Sequence, residues 1–155
     1  MTLPISLTPV ALVRSARKIP QDDLWNSVES WIELDGRFGA EALAGLEAFS
    51  HLEVVFVMDQ VPDEDIQTHA RHPRGNLAWP KVGIFSQRAK NRPNRLGLTV
   101  CRILAIDGTR IRVEGLDAVE GSPVLDLKPW VREFGPRGDI RQPEWMTELM
   151  ERYWE

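Results

Sequence analysis

The sequence predicts a mainly β domain: a closed or nearly closed barrel of about seven strands, with short helical segments and a C-terminal helix. Three observations predict it. Short apolar or alternating runs recur between Pro-, Gly- and Asx-rich breaks along most of the chain. Helix-period patterning is sustained only near the C-terminus. So many short strands in one 155-residue chain remove their exposed edges most readily by closing on themselves.

Residues 5–14 (ISLTPVALVR) read as the first strand, with Pro9 suited to an edge or a strand start. Ile32 and Leu34 alternate with Trp31, Glu33 and Asp35, which predicts a strand near 28–34. AEALAGLEAF (40–49) holds good helix formers weakened by Gly45, so a short helical turn is expected there. It leads into HLEVVFVMD (51–59), a nearly continuous apolar run of the kind buried on both faces or inside a barrel. Residues 60–80 are polar and punctuated by Pro and Gly, and are expected to form a long loop. VGIFS (82–86) and LGLTVCRILAIDG (96–108) read as strands on either side of the loop QRAKNRPNR. Asp107-Gly108 marks a tight hairpin into 109–117, and SPVLDLKPW (122–130) is a further strand. In the tail, apolar residues at 145, 146, 149, 150, 153 and 154 trace one helix face. The barrel is expected to occupy 1–135, with a C-terminal helix over 136–155 packed on the same domain.

Composition excludes several classes. With 43% apolar residues the chain is not disordered, and its single cysteine rules out a disulfide framework or a Cys-based zinc cluster. The N-terminal stretch is interrupted by Pro4, Pro9 and Arg14 and lacks a basic leader, so a soluble cytoplasmic protein without membrane association is expected. No G-x-G-x-x-G, Walker loop or G-x-S-x-G elbow is present. Cys101 sits mid-strand as a buried structural thiol would. His69 and His72 sit three apart with no carboxylate between residues 66 and 106, so no metal site is expected.

The informative feature is how charge is distributed. From Ile66 to Ile106 there is no Asp or Glu, and eight basic residues fall in that window. They give it +8, leaving −12 on the remainder of a chain whose total is −4. Such segregation suits an anionic partner, or internal pairing with acidic neighbours. The loop at 88–95 concentrates Arg88, Lys90, Arg92 and Arg95 with Asn91 and Asn94, stiffened by Pro93. Guanidinium forks match phosphate oxygens, although a Pro-stiffened, Asn-capped turn needs no ligand. Downstream, Asp117 and Glu120 flank a turn freed by Gly121. Asp126 and Lys128 share a strand face, either as an inward pair with a task or as a solvent-facing pair. Asp59 and Gln60 stand at a strand mouth, better placed for a ligand than Ser50 and His51 at its start.

These blocks resemble the TsaA/TrmO-like family of S-adenosylmethionine-dependent methyltransferases. The matching segments are GLEAFSHLEVVFVMDQ (45–60), HPRG with VGIFSQRAKNRPNRLGLTVCRI (72–103), and GLDAVEGSPVLDLKPW (115–130). The resemblance covers about residues 5–132. It implies a single-sheet β-barrel that acts as a homodimer and uses S-adenosyl-L-methionine as methyl donor. It implies tRNA as substrate, with methylation at N6 of threonylcarbamoyl-adenosine beside the anticodon. Carried over residue by residue, the donor-binding positions are Asp59, Gln60, Arg88, Leu98, Asp117, Ala118, Val119 and Glu120. The family's P-R-Q-like element is matched only partly, by Pro20-Gln21-Asp22. In this reading Asp126 relieves charge on the adenine amine and Lys128 orients it, while Lys90, Arg92, Asn94 and Arg95 hold RNA.

Three departures stand out. Asp59 replaces a His, Trp130 replaces a Tyr after Lys128-Pro129, and no further C-terminal domain is expected after the helix. They leave two other readings open: a donor-binding sensor or regulatory module, and a methyltransferase acting on a small anionic metabolite.

Overall fold

The computed structural model describes residues 2–155. Six antiparallel strands close into a barrel: β1 (Ala11–Ser15), β2 (Glu29–Leu34), β3 (His51–Val57), β6 (Leu96–Asp107), β7 (Arg110–Glu114) and β8 (Pro123–Pro129). Their order around the wall is β1-β2-β7-β6-β3-β8. Two further short strands, β4 (Ala70–Arg71) and β5 (Val82–Gly83), pair only with each other. One helix, α1 (Glu144–Met150), follows the barrel.

Closure is as expected, but six strands build the barrel where the sequence predicts about seven. Residues 82–86 account for the difference. Only Val82 and Gly83 are extended, and a 3-10 turn over Ile84–Ser86 then redirects the chain outside the wall. The 60–80 loop is likewise ordered by turns at Asp63–Asp65 and Pro73–Gly75 and by β4. β1 starts at Ala11 and not Ile5, because Pro9 has no N–H to offer a ladder and its carbonyl accepts from Arg37 Nη2 at 2.7 Å.

The wall alternates inside and out. In β3, Leu52, Val54 and Phe56 are buried while His51, Glu53, Val55 and Val57 are only partly covered. The apolar run at 51–59 is therefore one core face plus one half-covered outer face. Val13, Ile32, Val54, Ile111, Val113 and Val124 fill the interior, and Leu116 plugs it from the β7–β8 connection. The β6–β7 hairpin turns through Gly108 at φ 61°, as Asp107-Gly108 predicts. A bulge at Leu125 shifts the β3–β8 register between Val55–Asp126 and Phe56–Val124.

Two details position the site. β7 ends opposite Arg102, so Leu96–Cys101 of β6 pair with β3 on one edge and with no strand on the other. Beside that free edge, Gly97 lies directly under the Phe56 ring. A Cβ there would stand 2.6 Å from Cε1 and Cε2. Gly97→Ala is expected to lower stability by about 1–3 kcal/mol through overpacking. Phe56→Leu in the same chain should recover part of that loss in urea unfolding.

Candidate functional site

A cleft of about 1200 Å³ opens at the free edge of β6. Its floor is Leu96–Val100 with Glu53, Val55 and Phe56 of β3, and the β7–β8 turn contributes Asp117, Ala118 and Val119. The 85–92 loop forms one wall. Trp25 and Pro20–Asp22 form another, and the tail from Trp145 to Trp154 lies over the top. A smaller depression of about 400 Å³ over Pro20–Leu24, Lys90 and Arg152 adjoins it, but no barrel strand contributes to its lining.

Asp117 is the centre of the polar network. The Thr99 hydroxyl donates to Oδ1 and the Tyr153 hydroxyl to Oδ2. Thr99 is buried and points from the inner face of β6, at the level where β7 has already ended. Burial pushes the Tyr153 phenol well above its usual range, and the Asp117 charge and hydrogen bond push it further, so it stays a proton donor. Nearby Cys101 is pushed up to about 12, first by burial and then by Asp117. It is therefore an inert core thiol, its Sγ 3.6 Å from the Leu52 carbonyl.

Backbone and arginine contacts fix the remaining walls. Arg88 Nη2 donates to the Leu98 carbonyl on the free edge at 3.0 Å. Gln87 donates through Nε2 to the Val82 carbonyl at 2.9 Å, tying the β4–β5 ribbon to the loop. Arg92 Nη1 donates to the Gln87 carbonyl at 2.8 Å. Gln87 Oε1 and Ser122 Oγ, both buried in lining residues, have no hydrogen-bond partner among the described residues. Five basic side chains line the cleft (Arg71, Arg74, Arg88, Lys90, Arg92) against three acidic ones (Asp22, Glu53, Asp117).

The expected donor-binding set divides. Gln60, Arg88, Leu98, Asp117, Ala118 and Val119 line the cleft, as do Pro20, Gln21 and Asp22. Asp59 is exposed outside the lining. Glu120 turns the other way, accepting from the Ser15 amide at 2.6 Å and from Arg14 Nη1 at 3.4 Å. Of the expected RNA contacts, Lys90 and Arg92 reach the cleft and Asn94 and Arg95 do not. Arg95 is ion-paired with Asp63. Elsewhere in the basic window Arg74 pairs with Asp23 at 3.0 Å, Lys90 lies 3.9 Å from Asp22, and Arg102 pairs with Glu114.

Asp126 and Lys128 form a 2.9 Å ion pair whose side chains are 50% and 64% exposed on the outer wall. Of the two arrangements left open by the sequence, the solvent-facing one is present. The hydrogen bond and charge of Asp126 raise the Lys128 ammonium above its ordinary value. Neither residue lines the cleft, though Glu53, the register partner of Lys128, does.

Sequence reasoning missed Thr99, Trp25 and the whole tail as site components. The apolar stripe of the tail was legible as a helix face. Its half-covered Trp145, Met146, Leu149 and Met150 nevertheless line the cleft and do not enter the core. No group of three or more His, Cys, Asp or Glu residues suited to a metal ion occurs among the described residues. No helix among them is long and apolar enough to cross a membrane.

Comparison with known proteins bears on this geometry. Residues 11–135 match the family model of the tRNA-methyltransferase O N-terminal domain. The chain is 36% identical over 102 residues to the Homo sapiens tRNA (adenine(37)-N6)-methyltransferase, covering 66% of this chain and 23% of that protein. It is 36% identical over 138 residues to a Methanothermobacter thermautotrophicus protein named "Probable S-adenosyl-L-methionine-binding protein", covering 86% of this chain and 96% of that one. A crystal structure of TrmO from P. aeruginosa superposes with a TM-score of 0.75 at 27% identity, covering 94% of this chain and 63% of that one. The chain thus spans less than a quarter of the human protein and under two thirds of the crystallised TrmO.

Proposed function

The chain belongs to the tRNA-methyltransferase O N-terminal domain family, and from that premise we propose that it is an S-adenosylmethionine-dependent methyltransferase acting on the N6 of an adenine in tRNA. One observation carries the reading: Gln60, Arg88 with Leu98, and Asp117–Val119, which come from three separate sequence blocks, line a single cleft. The residues fit a donor made of an adenosine, a sulfonium and an amino-acid end. The free β6 edge offers backbone groups to a base, Asp117 offers a carboxylate to a cation or to hydroxyls, and the arginines offer partners to a carboxylate. The orphaned Ser122 Oγ supplies a further polar group within the lining.

Such a donor, when bound, supplies a methyl group already activated by its sulfonium. The chain's own task is to hold the acceptor nitrogen in line, about 3 Å from the methyl carbon, and to exclude competing poses. Transfer of that methyl would break its S–C bond, leaving a neutral thioether, and the acceptor amine would give up a proton that a carboxylate of this chain must take. Glu53 is the carboxylate within the lining on the outer face of β3, and Asp126, held by Lys128, stands beyond it on the same face. Arg88, Lys90 and Arg92 give the cleft an edge suited to RNA phosphates. The reading includes a homodimer in the cytoplasm; the dimer draws on Phe85, Leu96, Leu98 and Val100, apolar residues of the cleft lining that stay exposed.

Incubation with S-adenosylmethionine and tRNA, followed by nucleoside mass spectrometry, is expected to show one methyl added at an adenine N6. Comparing tRNA with and without the threonylcarbamoyl group tests which adenosine is the acceptor. A second reading, a donor-binding module, draws on the Methanothermobacter protein, whose name specifies binding alone and whose length this chain nearly spans. Calorimetric donor binding without any methylated nucleoside would replace the first reading with the second.

A further inference from the structure

The tail sits over the cleft in an arrangement that local packing does not explain. α1 has no buried residue, and the nine residues before it, Gly135–Pro143, are almost entirely exposed. Beside the half-covered apolar residues of α1, four hydrogen bonds hold the segment down. The amides of Leu24 and Trp25 donate to the Arg152 and Tyr153 carbonyls at 3.1 and 2.9 Å. Trp79 Nε1 donates to Glu148 Oε2 at 2.8 Å, and the Tyr153 hydroxyl donates to Asp117. Of these, only the last reaches a residue of the β7–β8 turn that lines the cleft.

We infer that Tyr153 is a positioning residue of the donor site: its hydroxyl, with that of Thr99, fixes the Asp117 carboxylate for the ligand. The inference rests on the donor-binding reading of the cleft. A carboxylate has about four lone-pair directions. Thr99 claims one on Oδ1 and Tyr153 one on Oδ2, so both oxygens are anchored and the remaining directions are set in advance. An anchored carboxylate loses less rotational freedom when a ligand binds, which is the physical content of pre-organisation. Tyr153 is itself pinned by its own carbonyl to Trp25 and by an edge-on contact with Trp154 at 5.0 Å. The family match ends at 135, so this contact is supplied by a part of the chain outside the matched segment.

Calorimetric titration with S-adenosylmethionine, on the full chain, tests this with Tyr153→Phe, Asp117→Asn and the double variant. Tyr153→Phe keeps the ring and removes only the hydroxyl. It is expected to weaken the donor five- to tenfold with little change in melting temperature. In the Asp117→Asn background the same change should have no further effect, because the tyrosine acts through that carboxylate. Trp79→Phe cuts the other side-chain latch without touching Asp117 and should leave affinity within twofold. Unchanged affinity in Tyr153→Phe, additive losses in the double variant, or an equal loss in Trp79→Phe would each reduce Tyr153 to ordinary packing. If the wild-type chain takes up no donor, the donor-binding reading falls first and this inference with it.

Discussion

Trp25→Ala is expected to destabilise the fold by about 3–5 kcal/mol in urea unfolding. The ring is 2% exposed although it belongs to a connection between strands and not to the barrel. Its Nε1 donates to the Gln21 carbonyl at 3.2 Å, and the Arg17 guanidinium lies 4.3 Å from the ring centroid. Arg17 in turn donates to the Asp23 carbonyl at 3.0 Å, so the indole is the piece around which residues 17–25 fold. Removing it opens a void, orphans a carbonyl and loosens the backbone on which the tail rests. Trp31→Ala is the control. Trp31 lies half-buried on the barrel surface with Arg110 stacked 4.5 Å from its centroid, and its loss should cost about 1 kcal/mol or less. Equal effects at the two sites would remove Trp25 from its place as the organiser of that wall.

Asp117→Ala should have the larger effect on ligand binding. Donor affinity measured by calorimetry is expected to fall at least tenfold, or about 1.4 kcal/mol. Stability should fall as well, by about 1–3 kcal/mol, because the Thr99 and Tyr153 hydroxyls lose their acceptor in a largely enclosed place. The two losses separate by variant. Thr99→Val in the Asp117→Ala background removes one orphaned hydroxyl and should regain stability without regaining affinity. Retained donor binding in Asp117→Ala would exclude this carboxylate from the site.

Much of the barrel was legible because its signals are local. Alternation marks β2 and β7, Asp107-Gly108 marks their neighbour's hairpin, and the prolines at 123 and 129 bracket β8. The composition of 5–14 suggests a strand running through Pro9, whereas pairing begins only beyond it. Val82–Ser86 has strand composition, and no local feature tells that its ribbon partner is Ala70–Arg71.

The site divides in the same way. Arg88, Leu98 and Asp117 lie in compact motifs, and the resemblance those motifs carry points to them. Thr99 sits beside Leu98 in sequence but faces inward, and its role depends on a carboxylate 18 positions away. Tyr153 lies 36 residues from Asp117, and only the folded chain brings them together. The acid-free basic window shows the same limit. Its arginines at 74, 95 and 102 find Asp23, Asp63 and Glu114 from outside the window, so part of the segregated charge recombines in space. Pairs as exposed as these contribute little stability. Their effect is to hold those side chains in place, leaving Arg71, Arg88 and Arg92 as the guanidinium groups of the lining without a carboxylate partner among the described residues.

The tail over the cleft also decides what light can report about this molecule. The interior cluster of the barrel contains no tryptophan. Trp25, Trp145 and Trp154 line the cleft, and Trp79 is bonded to the helix that covers it. Four of the six indoles thus report on the site, able to follow ligand entry or movement of α1 without a label, over the emission of Trp31 and Trp130 outside the lining. The barrel core, with no indole of its own, is followed instead by backbone circular dichroism.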